Sequence, residues 1–297
     1  MRVAASDTLV ENAPAKVNLT LRVLHRRADG YHEIESLVAF AGIGDRLSFA
    51  PDGELSLTVG GPSAAQAGAV ADNLVLKAAR ALAGRIPEIE LGAFQLNKQL
   101  PVAAGLGGGS ADAAAALRLL VRANRLAGDD PRLQAAARAT GADVPVCLDP
   151  RPRLMRGIGE LLSRPLALPP LPAVLVNPGI ALATKAVFAK WTPAATQSLA
   201  LDVTALSKLR DSGDLLQLLA AQANDLEAAA VALAPMISGV LAGLRTVSGA
   251  RLARMSGSGA TCFALFSSAA DAAAATKTLA TRYPHWWVRA TTLGGAG

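Results

Sequence analysis

Four glycines crowd the segment Gly105–Gly109, directly ahead of Ser110, in the stretch PVAAGLGGGSADAAAALRLL from Pro101 to Leu120. Residues without a Cβ let the backbone approach a ligand closely and adopt positive φ. The alanine-rich run that follows reads as a helix from about Ser110 to Arg125. Its first N–H groups have no partner within the helix, and its dipole adds roughly half a positive charge there. Ser110 suits the N-cap and Asp112 the first turn. Together these features describe an anion site, with phosphate the usual occupant. A Walker A loop is excluded, because no lysine lies between Gly105 and Asp112. The dinucleotide fingerprint G-x-G-x-x-G also fails, since counting from Gly105 ends on Ser110.

Further residues have the types that chemistry uses. Lys16 and Asn18 project from one face of an alternating segment, which by itself reads as the solvent-facing edge of a strand. Asp143 follows a break at Gly141 and precedes Pro145. Proline disfavours helical geometry at Val144, so Asp143 is expected at the edge of an element, in a capping or turn position. Tyr31 can stack on a base, and His32 can hydrogen-bond a base edge or simply end a turn. The Ser256–Gly259 stretch reads as a glycine turn between two strands, or as a second phosphate-facing loop.

The elements that must position these residues follow from periodicity. Val17, Leu19, Leu21 and Val23 alternate with polar residues and predict a half-buried strand, followed by a turn at Asp29–Gly30. Leu47–Phe49, Leu55–Val59 and Ile89–Leu96 read as strands. A helix capped by Asp72 is expected to stop at Gly84, and a shorter one over Arg132–Thr140 to stop at Gly141. Pro165–Pro172 marks the best domain boundary, giving domains 1–165 and 166–297. Beyond it come a strand at Ala173–Val176 and helical segments in Lys185–Lys190, Leu206–Ala223 and Leu226–Leu244. Two strands then flank the Ser256 turn, and a helix at Ala269–Tyr283 precedes a strand at Trp287–Thr292. Strands and helices mix without regular βαβ alternation, which predicts an α+β fold.

Composition narrows the class. The 297 residues are 52% hydrophobic and 18% charged, which marks a globular chain with a core of small and aliphatic side chains, aromatics being only 4%. The net charge of +6 suits an anionic ligand. Its densest cluster, Arg22 to Arg27, reads as a solvated strand end rather than a nucleic-acid arm. Cys147 and Cys262 lack metal or CxxC spacing and read as buried thiols in a reducing, cytoplasmic setting. The N-terminus shows no long apolar core of a leader. The uncharged stretches Leu166–Thr184 and Ala228–Leu244 are broken by prolines or glycines and do not read as membrane spans.

With these residues in view, the chain resembles the GHMP kinases. PVAAGLGGGSADAA is similar to the family's second motif, which wraps nucleotide phosphates. APAKVNLTLRVLHRRADGYHEIES (Ala13 to Ser36), GADVPVCL (Gly141 to Leu148) and MSGSGATCFALF (Met255 to Phe266) are similar to the opening, catalytic and third motifs of one branch. That branch phosphorylates cytidine-diphospho-methylerythritol in the non-mevalonate route to isoprenoids. No motif of the family is evident between Lys190 and Arg254.

The resemblance implies an N-terminal ribosomal-S5-like domain and a C-terminal ferredoxin-like α/β sandwich. It implies an ATP-binding loop of Pro101, Val102, Ala103, Ala104, Gly105, Leu106, Gly107, Gly108, Gly109, Ser110 and Ala111. Lys16 and Asp143 become the catalytic pair, Asp143 as base and Lys16 as its electrostatic partner. A carboxylate is a weak base, but phosphoryl transfer is largely dissociative, so late proton acceptance suffices. Asn18, Tyr31, His32 and Phe188 become substrate-binding residues, the last three around the cytosine. Ser256, Gly257, Ser258 and Gly259 become a loop over the reacting phosphate. Mg²⁺ is expected with ATP, and Ser110 is the one protein ligand suggested for it. Neither nucleic acid nor membrane is an expected partner, and oligomeric state is not indicated. Arg151, Arg153 and Arg156 exceed the branch's usual pattern and are expected to face water. Two other readings keep or abandon the fold: a kinase for homoserine, mevalonate or a sugar, and an RNA-binding protein without catalysis. Tyr31–His32 argues against the first, and the want of a basic-aromatic strand motif against the second.

Overall fold

The computed structural model describes residues 8–51, 53–193, 200–206 and 208–294. In chain order the elements are β1 (Leu9–Asn18), β2 (Arg22–Arg26), β3 (His32–Ala50), β4 (Ser56–Gly60), α1 (Leu74–Ala83), β5 (Ala93–Asn97), α2 (Gly108–Ala123), α3 (Pro131–Thr140) and α4 (Val144–Cys147). There follow β6 (Arg153–Gly157), β7 (Leu161–Leu162), β8 (Leu171–Asn177), α5 (Thr184–Lys190), α6 (Val203–Leu206), α7 (Ser212–Ala220), α8 (Glu227–Leu233), α9 (Met236–Thr246), β9 (Ala250–Met255), β10 (Cys262–Phe266), α10 (Ala269–Arg282) and β11 (Trp287–Leu293). The fold is α+β, as the irregular alternation predicts. By contacts the chain forms two compact units that interleave in sequence: 1–15, 44–102 and 107–150 in the first, 16–43, 103–106 and 151–297 in the second.

In the first unit the end of β3 pairs antiparallel with β5, and β4 runs parallel to β5. The period of two puts Leu47, Phe49, Leu57, Phe94 and Leu96 on one buried face, where the Phe49 and Phe94 rings meet at 4.6 Å. Arg46, Ser48, Thr58, Gln95 and Asn97 take the other face and line a groove of about 530 Å³. Helices α1 to α4 complete the unit. Helix α2 buries an almost continuous run from Ala111 to Leu117, and its alanines let α1 lie close against it. Replacing Ala113 or Ala114, both fully buried, with leucine would overpack that contact by about 1–3 kcal/mol.

In the second unit β9, β10, β8 and β11 form an antiparallel run, with Leu293 of β11 reaching Ala41 of β3. Helices α8, α9 and α10 bury Ala230, Ile237, Val240, Leu244, Ala275 and Leu279 against Val174, Val176, Ala264 and Phe266. The early part of β3 pairs with β2 and β6.

Several boundaries differ from expectation, each for a local reason. Asn73, not Asp72, caps α1, its side chain accepting the Val75 N–H at 2.9 Å. Helix α2 begins at Gly108 with Gly107 as its N-cap at φ +61°, so Ser110 lies inside the first turn. Val144 is helical after all, because Pro145 falls in the first turn of α4, where a missing N–H costs nothing. The predicted helix from Leu206 splits, because Asp211 caps a fresh start by accepting the Gly213 and Asp214 N–H groups; Ser207 lies outside the described residues. Strand β5 starts at Ala93, not Ile89. The leader reading falls partly on residues 1–7, also outside them. Among the described residues no helix is long and apolar enough to cross a membrane.

Candidate active site

The first strand carries the largest surprise. Alternation alone puts Lys16 and Asn18 on an open strand face, yet they are 5% and 2% exposed, and Thr20 beside them is 4% exposed. A buried lysine needs partners, and Asn18 supplies one: its Oδ1 accepts from Lys16 Nζ at 3.0 Å. The Asn18 amide nitrogen donates in turn to Ser36 Oγ at 2.8 Å, and Ser36 Oγ donates to the Thr20 carbonyl at 2.5 Å. The Lys16 backbone N–H donates to the Leu106 carbonyl at 2.9 Å. Lys16 is thus fixed at both its backbone and its ammonium group.

The same unit holds the middle of the glycine loop against the Ser256–Gly259 turn. Ser256 Oγ donates to the Gly105 carbonyl at 2.9 Å and accepts from the Asn18 N–H at 3.1 Å. The Thr261 N–H donates to the Ala104 carbonyl at 3.0 Å. Gly105 has φ +75°, and a Cβ there would overlap the Ser256 carbonyl oxygen and lie 2.8 Å from that of Gly259. Glycine is therefore required twice over. Ala103 also has positive φ, at +50°, a conformation that costs an L-residue about 1–2 kcal/mol. Such strain gathers where function over-determines the backbone.

The turn itself is buried throughout, in contrast to the half-open Gly107–Ser110. Asn224 Nδ2 donates to the Met255 and Gly257 carbonyls, and Ser258 Oγ lies 2.9 Å from Thr184 Oγ1. Among the described residues no acceptor meets the Ser258 N–H. Arg254 braces the end of β1 by donating to the carbonyls of Leu19, Leu219 and Gln222 at 2.6, 2.9 and 2.5 Å. Burial lowers its pKa to about 10, with Glu227 pulling the other way. Neither Asn224 nor Arg254 is apparent in the sequence as a site residue. An arginine two residues before a buried glycine turn is the only signal.

His32 heads β3, and Phe188 lies on α5. Their rings are 5.0 Å apart and tilted by 30°, and both belong to the second unit. Trp191, three residues beyond Phe188, sets its ring edge to His32 at 5.6 Å and 87°. In a chain so poor in aromatics that spacing was a readable signal, but sequence reasoning missed it. Tyr31 stands 59% exposed beside them. Partial burial lowers the His32 pKa, and Arg26 lowers it further, so the imidazole is neutral at pH 7 with one nitrogen to donate and one to accept.

In the first unit Gly107–Ala111 form the start of α2, and Asp143 is the N-cap residue of α4, with its backbone at φ −87°, ψ −8°. Asp143 therefore sits at an element's edge, as the break at Gly141 implies. Of the arginines of the 149–160 segment, Arg151 and Arg156 are exposed as expected, Arg156 also pairing with buried Glu35 at 2.8 Å, while Arg153 is half-buried and donates to the Ser163 carbonyl at 2.9 Å. Cys147 and Cys262 are buried and form no disulfide. Among the described residues no three or more His, Cys, Asp or Glu side chains gather as a metal cage.

Comparison with known proteins converges on one family. The profile of the GHMP kinases N terminal domain matches residues 73–149, and that of the GHMP kinases C terminal domain residues 203–285. A 4-diphosphocytidyl-2-C-methyl-D-erythritol kinase of Rhodopseudomonas palustris strain BisB18 is 57% identical over 98% of this chain and 97% of its own length. The chain belongs to the GHMP kinase family. A kinase of the same name from Methylobacterium radiotolerans is 56% identical over 96% of this GHMP kinase and 99% of its own length. The crystal structure of a 4-(cytidine 5'-diphospho)-2C-methyl-D-erythritol kinase superposes with a TM-score of 0.79 at 36% identity, covering 97% of this kinase and 100% of that chain. A homoserine kinase from Cytophaga hutchinsonii shares the fold alone, with a TM-score of 0.70 at 19% identity.

Proposed function

We propose that this GHMP kinase transfers the γ-phosphoryl group of ATP to the 2-hydroxyl of 4-(cytidine 5'-diphospho)-2-C-methyl-D-erythritol. The products are the 2-phosphate and ADP, in the non-mevalonate route to isoprenoid precursors. The near full-length identity to kinases of that name carries the reading. The neutral His32 beside Phe188 and Trp191 suits it, because a pyrimidine edge needs one donor and one acceptor in an aromatic setting.

In this reading the amides of Gly107–Ser110 hold the ATP phosphates. Asp143 orients the acceptor hydroxyl and takes its proton as the new bond forms. Lys16, held by Asn18, offsets the negative charge that develops. Tyr31, His32 and Phe188 hold the cytosine, and Ser258 offers its N–H to phosphate. Mg²⁺ fits as an ion that arrives with ATP: a hard cation that keeps water and phosphate ligands needs only one or two protein oxygens. Ser110 would supply one, and the ion would neutralise charge on the phosphates. In this reading the segment 1–165 holds the nucleotide and the catalytic pair, 166–297 completes the acceptor site, and the cytoplasm supplies both substrates.

The test is coupled ADP release from the purified chain with the cytidylyl tetritol, homoserine, mevalonate and galactose offered separately. Turnover with the cytidylyl tetritol alone is expected. Turnover with another acceptor and none with that one sinks the substrate assignment. Asp143→Asn is expected to lower kcat by roughly 10²–10⁴, and wild-type turnover in that variant removes Asp143 from its role.

A further inference from the structure

Three buried charges of the first unit have no part in the chemistry above. Lys98 Nζ donates to Asp45 Oδ2 at 2.5 Å and to Asp112 Oδ2 at 2.8 Å, and these three side chains are 5%, 0% and 3% exposed. Burying ions is costly and needs a reason. Asp45 Oδ1 accepts the N–H groups of Gln99 and Leu100 at 2.5 and 2.9 Å. Those residues lead directly into Pro101 and the glycine loop. Asp112 lies in the second turn of α2, which leads out of it. A Cβ on Gly108, the first residue of α2, would lie 3.4 Å from Lys98 Nζ and 3.6 Å from Asp45 Oδ2, so the triad sits directly beneath the loop's exit. Asp112 Oδ1 is buried and has no hydrogen-bond partner among the described residues.

We propose that Asp45, Lys98 and Asp112 are positioning residues that tie the chain entering the glycine loop to the helix leaving it, and so set the loop's grip on ATP. The entering end is hydrogen-bonded to Asp45, the leaving helix carries Asp112, and the ammonium joins the two carboxylates. Cutting either bond lets the ends move independently, which spoils the spacing of the phosphate-facing amides without touching the acceptor. The triad formally carries one excess negative charge under an anion site. The positive end of α2 offsets it, and so does Asp112 when it binds a proton. Burial pushes the Asp112 pKa up to about 7, Lys98 opposes that rise, and Asp45 adds to it.

The inference rests on the ATP reading of the loop, so its test uses nucleotide binding without any acceptor. Dissociation constants for a non-hydrolysable ATP analogue would be measured by calorimetry, alongside thermal unfolding, for wild type, Asp45→Asn and the double variant Lys98→Met/Asp112→Asn. Asp45→Asn keeps side-chain volume and breaks the link to the ammonium. The double variant removes the ammonium together with one carboxylate, so one buried carboxylate instead of two is left without a counter-ion, and that one, Asp45, keeps its two backbone N–H partners. Roughly tenfold weaker analogue binding is expected in both. The KM of each for the acceptor should stay within about twofold of wild type. A lowered melting temperature with wild-type analogue affinity in either variant means the triad is merely structural, and overturns the clamp alone. A wild-type chain that binds no analogue removes the ATP site and the clamp with it.

Discussion

The start of α2 and the Ser256–Gly259 turn are both glycine-rich, and both are anchored by side chains at a distance in sequence. They are anchored by opposite kinds of chemistry. The start of α2 rests on three buried ions, Asp45, Lys98 and Asp112. The turn rests on neutral groups: Ser256 Oγ, the Asn224 amide and the Thr184–Ser258 hydroxyl pair. Ion pairs in a low dielectric respond steeply to loss of one partner and to protonation, whereas hydroxyl and amide bonds are modest and indifferent to pH near neutrality. One loop is therefore built to be tunable and the other to be fixed.

The sharpest way to break this contrast is to leave a buried ion alone. Lys98→Met by itself strands two carboxylates, and is expected to lower stability by about 3–5 kcal/mol in urea unfolding. Pairing it with Asp112→Asn should recover much of that loss. Asp112 alone probes the pH side. Its folded pKa lies above its unfolded one, so its contribution to stability is complete below about pH 4 and declines as pH rises through about 7. Asp112→Asn should therefore flatten the pH profile across that window, by up to about 4 kcal/mol. Chemical unfolding of both proteins from pH 4 to 8 checks this, and parallel profiles would contradict it. Ser256→Ala removes two neutral bonds and should cost about 1–3 kcal/mol by the same measurement, equally at pH 5 and pH 8. A pH-dependent loss there would erase the distinction between the loops. The smallest effect is expected at Trp191→Ala, which should raise acceptor KM by roughly three- to tenfold with ATP KM unchanged, as expected for one aromatic contact.

How far the sequence foretold this molecule depends on whether the cause was local. Gly84 and Gly141 as helix ends, the turn at Asp29–Gly30 and the strands around Ser256 are local backbone preferences, and they fell where expected. The Arg22–Arg27 cluster does lie at a solvated strand end, with Arg27 paired to Asp29 and Glu33. The glycine loop was legible because bare backbone is visible in the letters themselves. The environment of Lys16 and Asn18 was not. Alternation identifies two faces of a strand but does not reveal that both are covered, and here Ser36 and Ser256 cover the polar one. The triad was equally hidden: Asp45, Lys98 and Asp112 are separated by 53 and 14 residues, and no spacing rule links them. Trp191 stood within reach, three residues beyond Phe188.

That tryptophan gives the protein an optical handle of its own. Indole fluorescence is quenched by a protonated imidazole and is sensitive to whatever displaces one, and Trp191 sets its edge against His32. Because partial burial and Arg26 hold the His32 pKa below its usual value, the emission of Trp191 should be steady around neutrality and dim on acidification. With Trp286 and Trp287 replaced by phenylalanine, the remaining signal would report a pyrimidine arriving beside that ring, without a dye, a label or a coupled enzyme.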